Sequence, residues 1–181
     1  MQRIDGPCLS LRLVQPEDAA YIHGLRMDTS YNSHLSVVAG TIEDQRGWIE
    51  AYKAREAAGT EYYYVIERKD AVRCGVVRLY EITKNQFTWG SWILDKNKPL
   101  KAALESASLS FGIAFDSLGL TLGHIDVRKD NRHAIAFYQR FGMHQVQEDA
   151  HNIYYEYTRE QFAANKLEHM AAITGTVNAS L

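Results

Sequence analysis

The sequence predicts an α+β domain, layered α/β/α, with a mixed and largely antiparallel sheet. Two observations lead there. Strand-patterned segments at 62–67, 72–80 and 86–94 follow one another across the turn sequences Lys69-Asp70 and Thr83-Lys84-Asn85, as an antiparallel meander does. The last of them is followed by a long helix with an apolar face and then by a buried strand at 122–127, a strand-helix-strand crossover that places a parallel pair in the sheet. With 181 residues, 46% hydrophobic and no break in composition, the chain is read as one domain over 1–170 and a flexible tail over 171–181.

From the N-terminus, SLRLV at 10–14 alternates as a short strand. Pro16-Glu17-Asp18 then opens a helix to about Met27: proline suits the first turn, where no N–H is needed, and carboxylates suit the positive helix end. Residues 28–40 carry Ser, Asn and Gly without periodicity and read as a loop. Thr41 caps a second helix to about Ala58, whose stripe of Ile42, Trp48, Ile49 and Tyr52 is narrow enough for the surface of a sheet. Inside the meander, Gly75 and Gly90 mark a bulge or a close backbone approach. DKNKP at 95–99 breaks the third strand. Leu100, Ala103, Leu104, Ala107, Phe111, Ala114, Phe115 and Leu118 then give the crossover helix a broad apolar face, and Gly119 ends it. The next helix opens near Asn131 and stops at Gly142, with Ala134, Phe137, Tyr138 and Phe141 at i, i+3, i+4 and i+7. Segments 143–147 and 153–158 read as a closing strand pair, and Thr158 caps a short helix through about His169.

Bulk properties exclude several classes of function. A net charge of -2 and a pI near 6.4 supply no basic footprint, so nucleic acid is not an expected partner. Cys8 and Cys74 lie far apart without metal-ligand spacing, and the seven histidines show no H-x-x-x-H pattern, so neither a disulfide framework nor a metal site is expected. The first residues lack the apolar run of a signal peptide, and no stretch has membrane-spanning length, so a cytoplasmic protein away from membranes is expected. No Ser or Cys carries a nucleophile signature, which favours direct transfer over a covalent enzyme intermediate in any group-transfer reaction.

Two places attract chemistry. The crossover helix starts directly after a buried strand, so its free amides and positive dipole form an anion site, with Lys96, Lys98 and Lys101 beside it as point charges. Further on, the phenol of Tyr138 rides on an apolar helix face, where it needs either a structural partner or a task; periodicity alone leaves both open.

The motif V-x-x-x-N-x-x-A-I-x-F-Y-x-x-F-G (Val127, Asn131, Ala134, Ile135, Phe137, Tyr138, Phe141, Gly142), together with the element order over 10–158, resembles the GNAT superfamily of acetyl-CoA-dependent N-acetyltransferases. The resemblance implies a central pair of splayed strands, 86–94 and 122–127, with Gly90 suiting the bulge and the pantetheine arm of acetyl-CoA between them. It implies a pyrophosphate on the amides from Lys96 to Ala103, including Ala102, an oxyanion donor on the backbone near Ile93 and Leu94, Asn131 and Phe137 beside the pantetheine, and Tyr138 beside the thioester sulfur as general acid. Where the family usually has Q/R-x-x-G-x-G/A, this chain has K-P-L-K-A-A, without glycine. For the base that neutralises the amine, Asp126, His124 and Glu81 stay open.

Within the family, the crossover and the helix NRHAIAFY look most similar to acetyltransferases that modify amino-sugar nucleotides, as in the pseudaminic acid pathway. A polar small-molecule amine is therefore the expected partner, with Arg26 and Trp48 on the acceptor side and a homodimer left open. The competing expectations are N-terminal acetylation of a ribosomal protein and a non-catalytic acyl-CoA-binding paralogue.

Overall fold

A computed structural model describes residues 2–33 and 40–175. Its elements are β1 (Arg3–Asp5), β2 (Leu9–Leu13), a 3-10 turn (Pro16–Asp18), α1 (Ala19–Met27), α2 (Thr29–Asn32), α3 (Ile42–Ala57), β3 (Tyr62–Arg68), β4 (Arg73–Tyr80), β5 (Gln86–Leu94), α4 (Ala102–Gly112) running into a π-helical turn (Ile113–Ser117), β6 (Leu122–Arg128), α5 (Arg132–Phe141), β7 (His144–Glu148), β8 (Asn152–Thr158) and α6 (Arg159–Thr174). The strands form one sheet in the order β1-β2-β3-β4-β5-β6-β8-β7. Its neighbours are antiparallel except β5 and β6, which the crossover through α4 makes parallel. This is the α+β class expected.

Two apolar clusters cover the two faces of the sheet. Val14, Ile22, Leu25, Ile49, Tyr52, Tyr63, Val65, Val76 and Ile93 pack α1 and α3 on one face. Leu11, Tyr64, Val77, Leu79, Phe87, Trp89, Phe111, Phe115, Ile125, Tyr138, Phe141 and Tyr157 pack α4, α5 and α6 on the other. Capping boxes start α3 at Thr41 with Asp44 and α6 at Thr158 with Gln161, each satisfying helix-end amides that would otherwise lack partners.

Several expectations need correction. The N-terminal strand β1 and the short helix α2 are too brief for periodicity to reveal; α2 forms within the expected loop because the Asp28 carboxylate accepts the Ser30 N–H at 2.8 Å. The remainder of that loop, 34–39, lies outside the described residues. Leu100 does not share the apolar face of α4: it precedes the helix and is 92% exposed, and Ile42, at the first turn of α3, is likewise exposed. α6 continues to Thr174 and buries Ile173, so 171–174 belong to the packed structure, whereas 176–181 lie outside the described residues.

Two buried polar groups tie the outer layers down. Glu105 on α4 is 1% exposed, and its Oε1 accepts the N–H groups of Cys8 and Leu9, both at 2.8 Å, at the start of β2. Truncation leaves those donors without an acceptor, a loss of about 1–3 kcal/mol per buried group. Glu105→Ala should therefore lower the unfolding free energy by about 2–4 kcal/mol in urea titration, against about 1 kcal/mol for Thr158→Ala at a half-buried cap. His169 on α6 is buried against the ring of Phe141, with centroids 4.4 Å apart, and its Nδ1 has no partner. Desolvation holds its pKa below the ordinary 6.5, Glu168 acting weakly the other way. Because the unfolded chain takes up that proton first, stability is full above about pH 6.5 and falls as pH drops through that value toward the folded-state pKa. Urea midpoints at pH 7.5 and 5.5 should show a smaller acid loss in His169→Gln than in the unmodified chain.

Candidate active site

β5 and β6 pair at three positions, Gln86↔Leu122, Phe87↔Gly123 and Thr88↔His124, and then part. Each is held on its outer side: β5 stays paired with β4 as far as Leu94↔Gly75, and β6 with β8 as far as Arg128↔Asn152. A bulge adds to the divergence. Between Val76↔Ile93 and Arg78↔Gly90, β4 advances two residues while β5 advances three. The bulge falls where Gly90 foretold it, but the left-handed residue is Ser91, with φ 47°. Gly90 instead lies under the ring of Tyr80, and a Cβ there would stand 3.1 Å from the Tyr80 hydroxyl. Gly75 allows a closer approach still, since a Cβ would come within 2.3 Å of the Ile93 carbonyl oxygen.

The extra residue also changes which side chains share a face. Positions 89 and 92 would oppose each other on a regular strand, yet Trp89 and Trp92 meet at 5.0 Å, while Ile93 packs into the cluster under α1 and α3. Serines on α4 fix both indoles: Trp89 Nε1 donates to Ser110 Oγ at 2.9 Å and Trp92 Nε1 to Ser106 Oγ at 3.1 Å. Trp92 then tilts against Phe137 of α5 at 5.0 Å.

Past the bulge, the opening between the strands widens into a cleft of about 190 Å³ lined by Trp92, Leu94, Lys98, Ala103, Asn131, His133, Ala134 and Phe137. Leu94, Lys98, Ala103, Asn131 and Phe137 were expected there; Trp92, His133 and Ala134 were not. Asn131 is the N-cap of α5, its Oδ1 accepting the Ala134 N–H at 3.2 Å.

The loop from Asp95 to Lys101 is organised differently from the simple row of free amides expected. The Lys96 N–H donates to the Tyr31 hydroxyl at 3.0 Å, the Asn97 N–H to Asp95 Oδ1 at 2.7 Å and the Lys98 N–H to the Asp95 carbonyl at 3.1 Å. Among the described residues, the amides of Lys101, Ala103 and Leu104 have no backbone acceptor, so these, rather than Lys96 to Lys98, are the donors left at the start of α4. The three lysines also separate. Lys98 faces the cleft, Lys96 lines a different cavity with Tyr21, Tyr31 and Asp95, and the Lys101 ammonium donates to the Ala172 carbonyl near the C-terminal end of α6. Lys101 itself adopts φ 62°, the left-handed conformation that glycine would take without strain. Ala102 is buried in the core beneath the helix start.

Tyr138 is 6% exposed and boxed by Trp89 (6.0 Å), Trp92 (6.5 Å) and Tyr155 (5.7 Å). No described residue hydrogen-bonds its hydroxyl. Burial pushes its pKa above the ordinary tyrosine value, and the Asp126 carboxylate pushes it further, so the phenol is protonated at every physiological pH.

The opposite face of the sheet is open beside the same gap. Directly paired residues share a face, which aligns Tyr63, Arg78 and Gly90 in one row and Tyr80, Thr88 and His124 in the next. Asp126 is exposed on β6 and acts electrostatically on Tyr138, Tyr80 and Tyr154. Glu81 accepts the Thr88 hydroxyl at 2.8 Å, and His124 is engaged by Gln86 at 3.0 Å and by Glu156 at 3.6 Å, which leaves Asp126 the least committed of the three base candidates. Toward β3, Trp48 is stacked on Tyr52 and flanked by the guanidiniums of Arg55 (5.2 Å) and Arg78 (5.6 Å). Glu61 is shared by Arg55 at 2.6 Å and Arg78 at 3.4 Å. Arg26 has no carboxylate partner among the described residues, and Arg26 and Arg78 stand beside the buried Tyr63 hydroxyl. No group of three or more His, Cys, Asp or Glu among the described residues could hold a metal ion, and no helix there is long and apolar enough to cross a membrane.

No curated protein matches the chain in sequence. Among solved structures, the chain is similar to apo FdhC, a nucleotide-linked sugar GNAT, with 39% identity and a TM-score of 0.83 over 90% of this chain and 93% of that one. It is also similar to the spermidine N-acetyltransferase of Vibrio cholerae in complex with CoA and spermine, with 17% identity and a TM-score of 0.76 over 86% and 98% of the two chains. The ribosomal-protein-S5-alanine acetyltransferase of Vibrio fischeri gives 13% and 0.76 over 88% and 98%. At those two identities the likeness is one of fold. The model of the acetyltransferase (GNAT) domain matches residues 9–144, the span that holds the parted strands, the helix-start amides and Tyr138, and the chain thus belongs to the GNAT acetyltransferase family.

Proposed function

We propose that this acetyltransferase moves an acetyl group from acetyl-CoA directly to the amine of a nucleotide-linked amino sugar, with Tyr138 as the proton donor to the departing sulfur. The 39% identity to a nucleotide-linked sugar GNAT carries this reading. The open face supports it. Arg55 and Arg78 share the carboxylate Glu61 beside Trp48, and Arg26, near the Tyr63 hydroxyl, has no carboxylate partner among the described residues, whereas Asp126 and Glu81 lie toward β6. A molecule with phosphates at one end and an amine at the other matches that gradient; a polyamine or a basic peptide would place cations among the guanidiniums.

On the donor side, the residues present fit CoA. The amides of Lys101, Ala103 and Leu104 and the ammonium of Lys98 suit a pyrophosphate, and Trp92, Leu94, Ala134 and Phe137 suit the pantetheine arm. Acetyl-CoA supplies the thioester, and the chain's residues manage the protons. Asp126, with Glu81 near it, takes the ammonium proton through water, since only a neutral amine attacks. Ser91 and Trp92 have no ladder partners at the bulge, so the backbone polar groups there are free to meet charge that develops on the carbonyl oxygen; Leu94, where such a donor was expected, is paired with Gly75. Tyr138, protonated at the start, hydrogen-bonds the sulfur as negative charge grows there and passes its proton to the departing thiolate, and the proton that the amine loses on acylation restores the phenol.

Thiol release with acetyl-CoA and a panel of amino-sugar nucleotides, spermidine and basic N-terminal peptides tests the acceptor; turnover confined to spermidine or peptides refutes the reading. In the same assay Tyr138→Phe should lower kcat by about 10²-fold, the lower range for general acid catalysis. Its affinity for CoA should stay within about twofold, and unaltered turnover would remove Tyr138 from the chemistry.

A further inference from the structure

The loop that carries the helix-start amides has no glycine, and its first residues are held from the opposite side of the molecule. Tyr31 on α2 accepts the Lys96 N–H at 3.0 Å. Tyr21 on α1 donates to Asp95 Oδ2 at 2.8 Å, while the Arg73 guanidinium covers its ring at 4.7 Å. Asp95, 6% exposed, has its other oxygen on the Asn97 N–H at 2.7 Å, and its own N–H donates to the Cys74 carbonyl at 2.8 Å. The loop end is fixed by Lys101 on the Ala172 carbonyl. Between these anchors the chain turns through Pro99 and the left-handed Lys101 into α4.

We infer that Tyr31 and Tyr21 are positioning residues for the donor: they strap the 95–101 loop to α1 and α2, and so aim the amides of Lys101, Ala103 and Leu104 at the phosphates of CoA. A glycine-rich loop can mould itself around a pyrophosphate by its own conformational freedom. This loop lacks that freedom, so its shape has to be imposed by neighbours, and the two tyrosines are the neighbours that grip it where it leaves β5. The strap joins the two halves of the site, because α1, which carries Tyr21, also carries Arg26 on the acceptor side. The inference rests on the reading that the cleft takes CoA.

Calorimetric titration of the full chain with CoA and with pantetheine, which lacks the phosphates, tests it. Losing the hydroxyl that receives the Lys96 amide should weaken CoA binding about three- to tenfold in Tyr31→Phe, and Tyr21→Phe should do the same by freeing Asp95. Affinity for pantetheine should stay within about twofold in both variants, and Tm within a few degrees. Unchanged CoA affinity in both variants, or an equal loss for CoA and pantetheine, would overturn the inference. Absence of CoA binding by the unmutated chain would instead overturn the reading of the cleft on which it rests.

Discussion

Two strands that begin as neighbours and are then drawn apart set the terms for the rest of this molecule. β5 cannot follow β6 because its ladder with β4 continues to Leu94, and β6 cannot follow β5 because its ladder with β8 continues to Arg128. A sheet interrupted at its centre would expose backbone groups and lose cross-strand contacts. Here aromatic side chains fill the inner part of the gap, with Trp89, Trp92, Phe137 and Tyr138 in mutual contact and two α4 serines satisfying the indole N–H groups. The outer part stays open as the cleft. In the proposed reaction the donor lies on one face and the acceptor on the other, and they meet through that gap; Asp126, which acts on Tyr138 and Tyr80, lies along it.

A second constraint follows from the first. An opening in the sheet selects a ligand only if something at its mouth holds one end, and here the mouth is a loop without glycine. Lys101 takes the left-handed conformation at a cost of about 1–2 kcal/mol relative to glycine. Its ammonium, set on a carbonyl at the negative end of α6, offsets part of that cost. The lysine thus serves the shape of the loop rather than its charge.

How much of this was legible in the sequence depends on how local each feature is. The apolar stripe of α5, the Asn131 cap and Gly142 lie within about three turns of each other, so periodicity located the helix and put Tyr138 on its buried face. The crossover and the meander were legible for the same reason. The bulge was half legible: Gly90 marked the place, but the two tryptophans three residues apart, which share a face only because the bulge shifts the alternation, were the fuller signal. What could not be read locally is which partner each polar group meets. Lys96, Lys98 and Lys101 are equivalent in sequence, yet they face another cavity, the cleft and the end of α6, because residues 21, 31 and 172 decide where they turn. Tyr63, Arg78 and Glu61 converge with Arg26 and Trp48 through strand register, which no spacing rule reports.

The central claim is that the parted strands and the start of α4 together form the donor site, with the amides of Lys101, Ala103 and Leu104 as its phosphate contacts. Amide chemical shifts of the isotope-labelled chain during titration with CoA test it most directly. The largest changes should fall at Lys101, Ala103 and Leu104 and at the Trp92 indole, and the amides of Asn97 and Lys98, already bonded within the loop, should move less. Shifts confined to the far edges of the sheet, or a spectrum that does not respond to CoA, would contradict it.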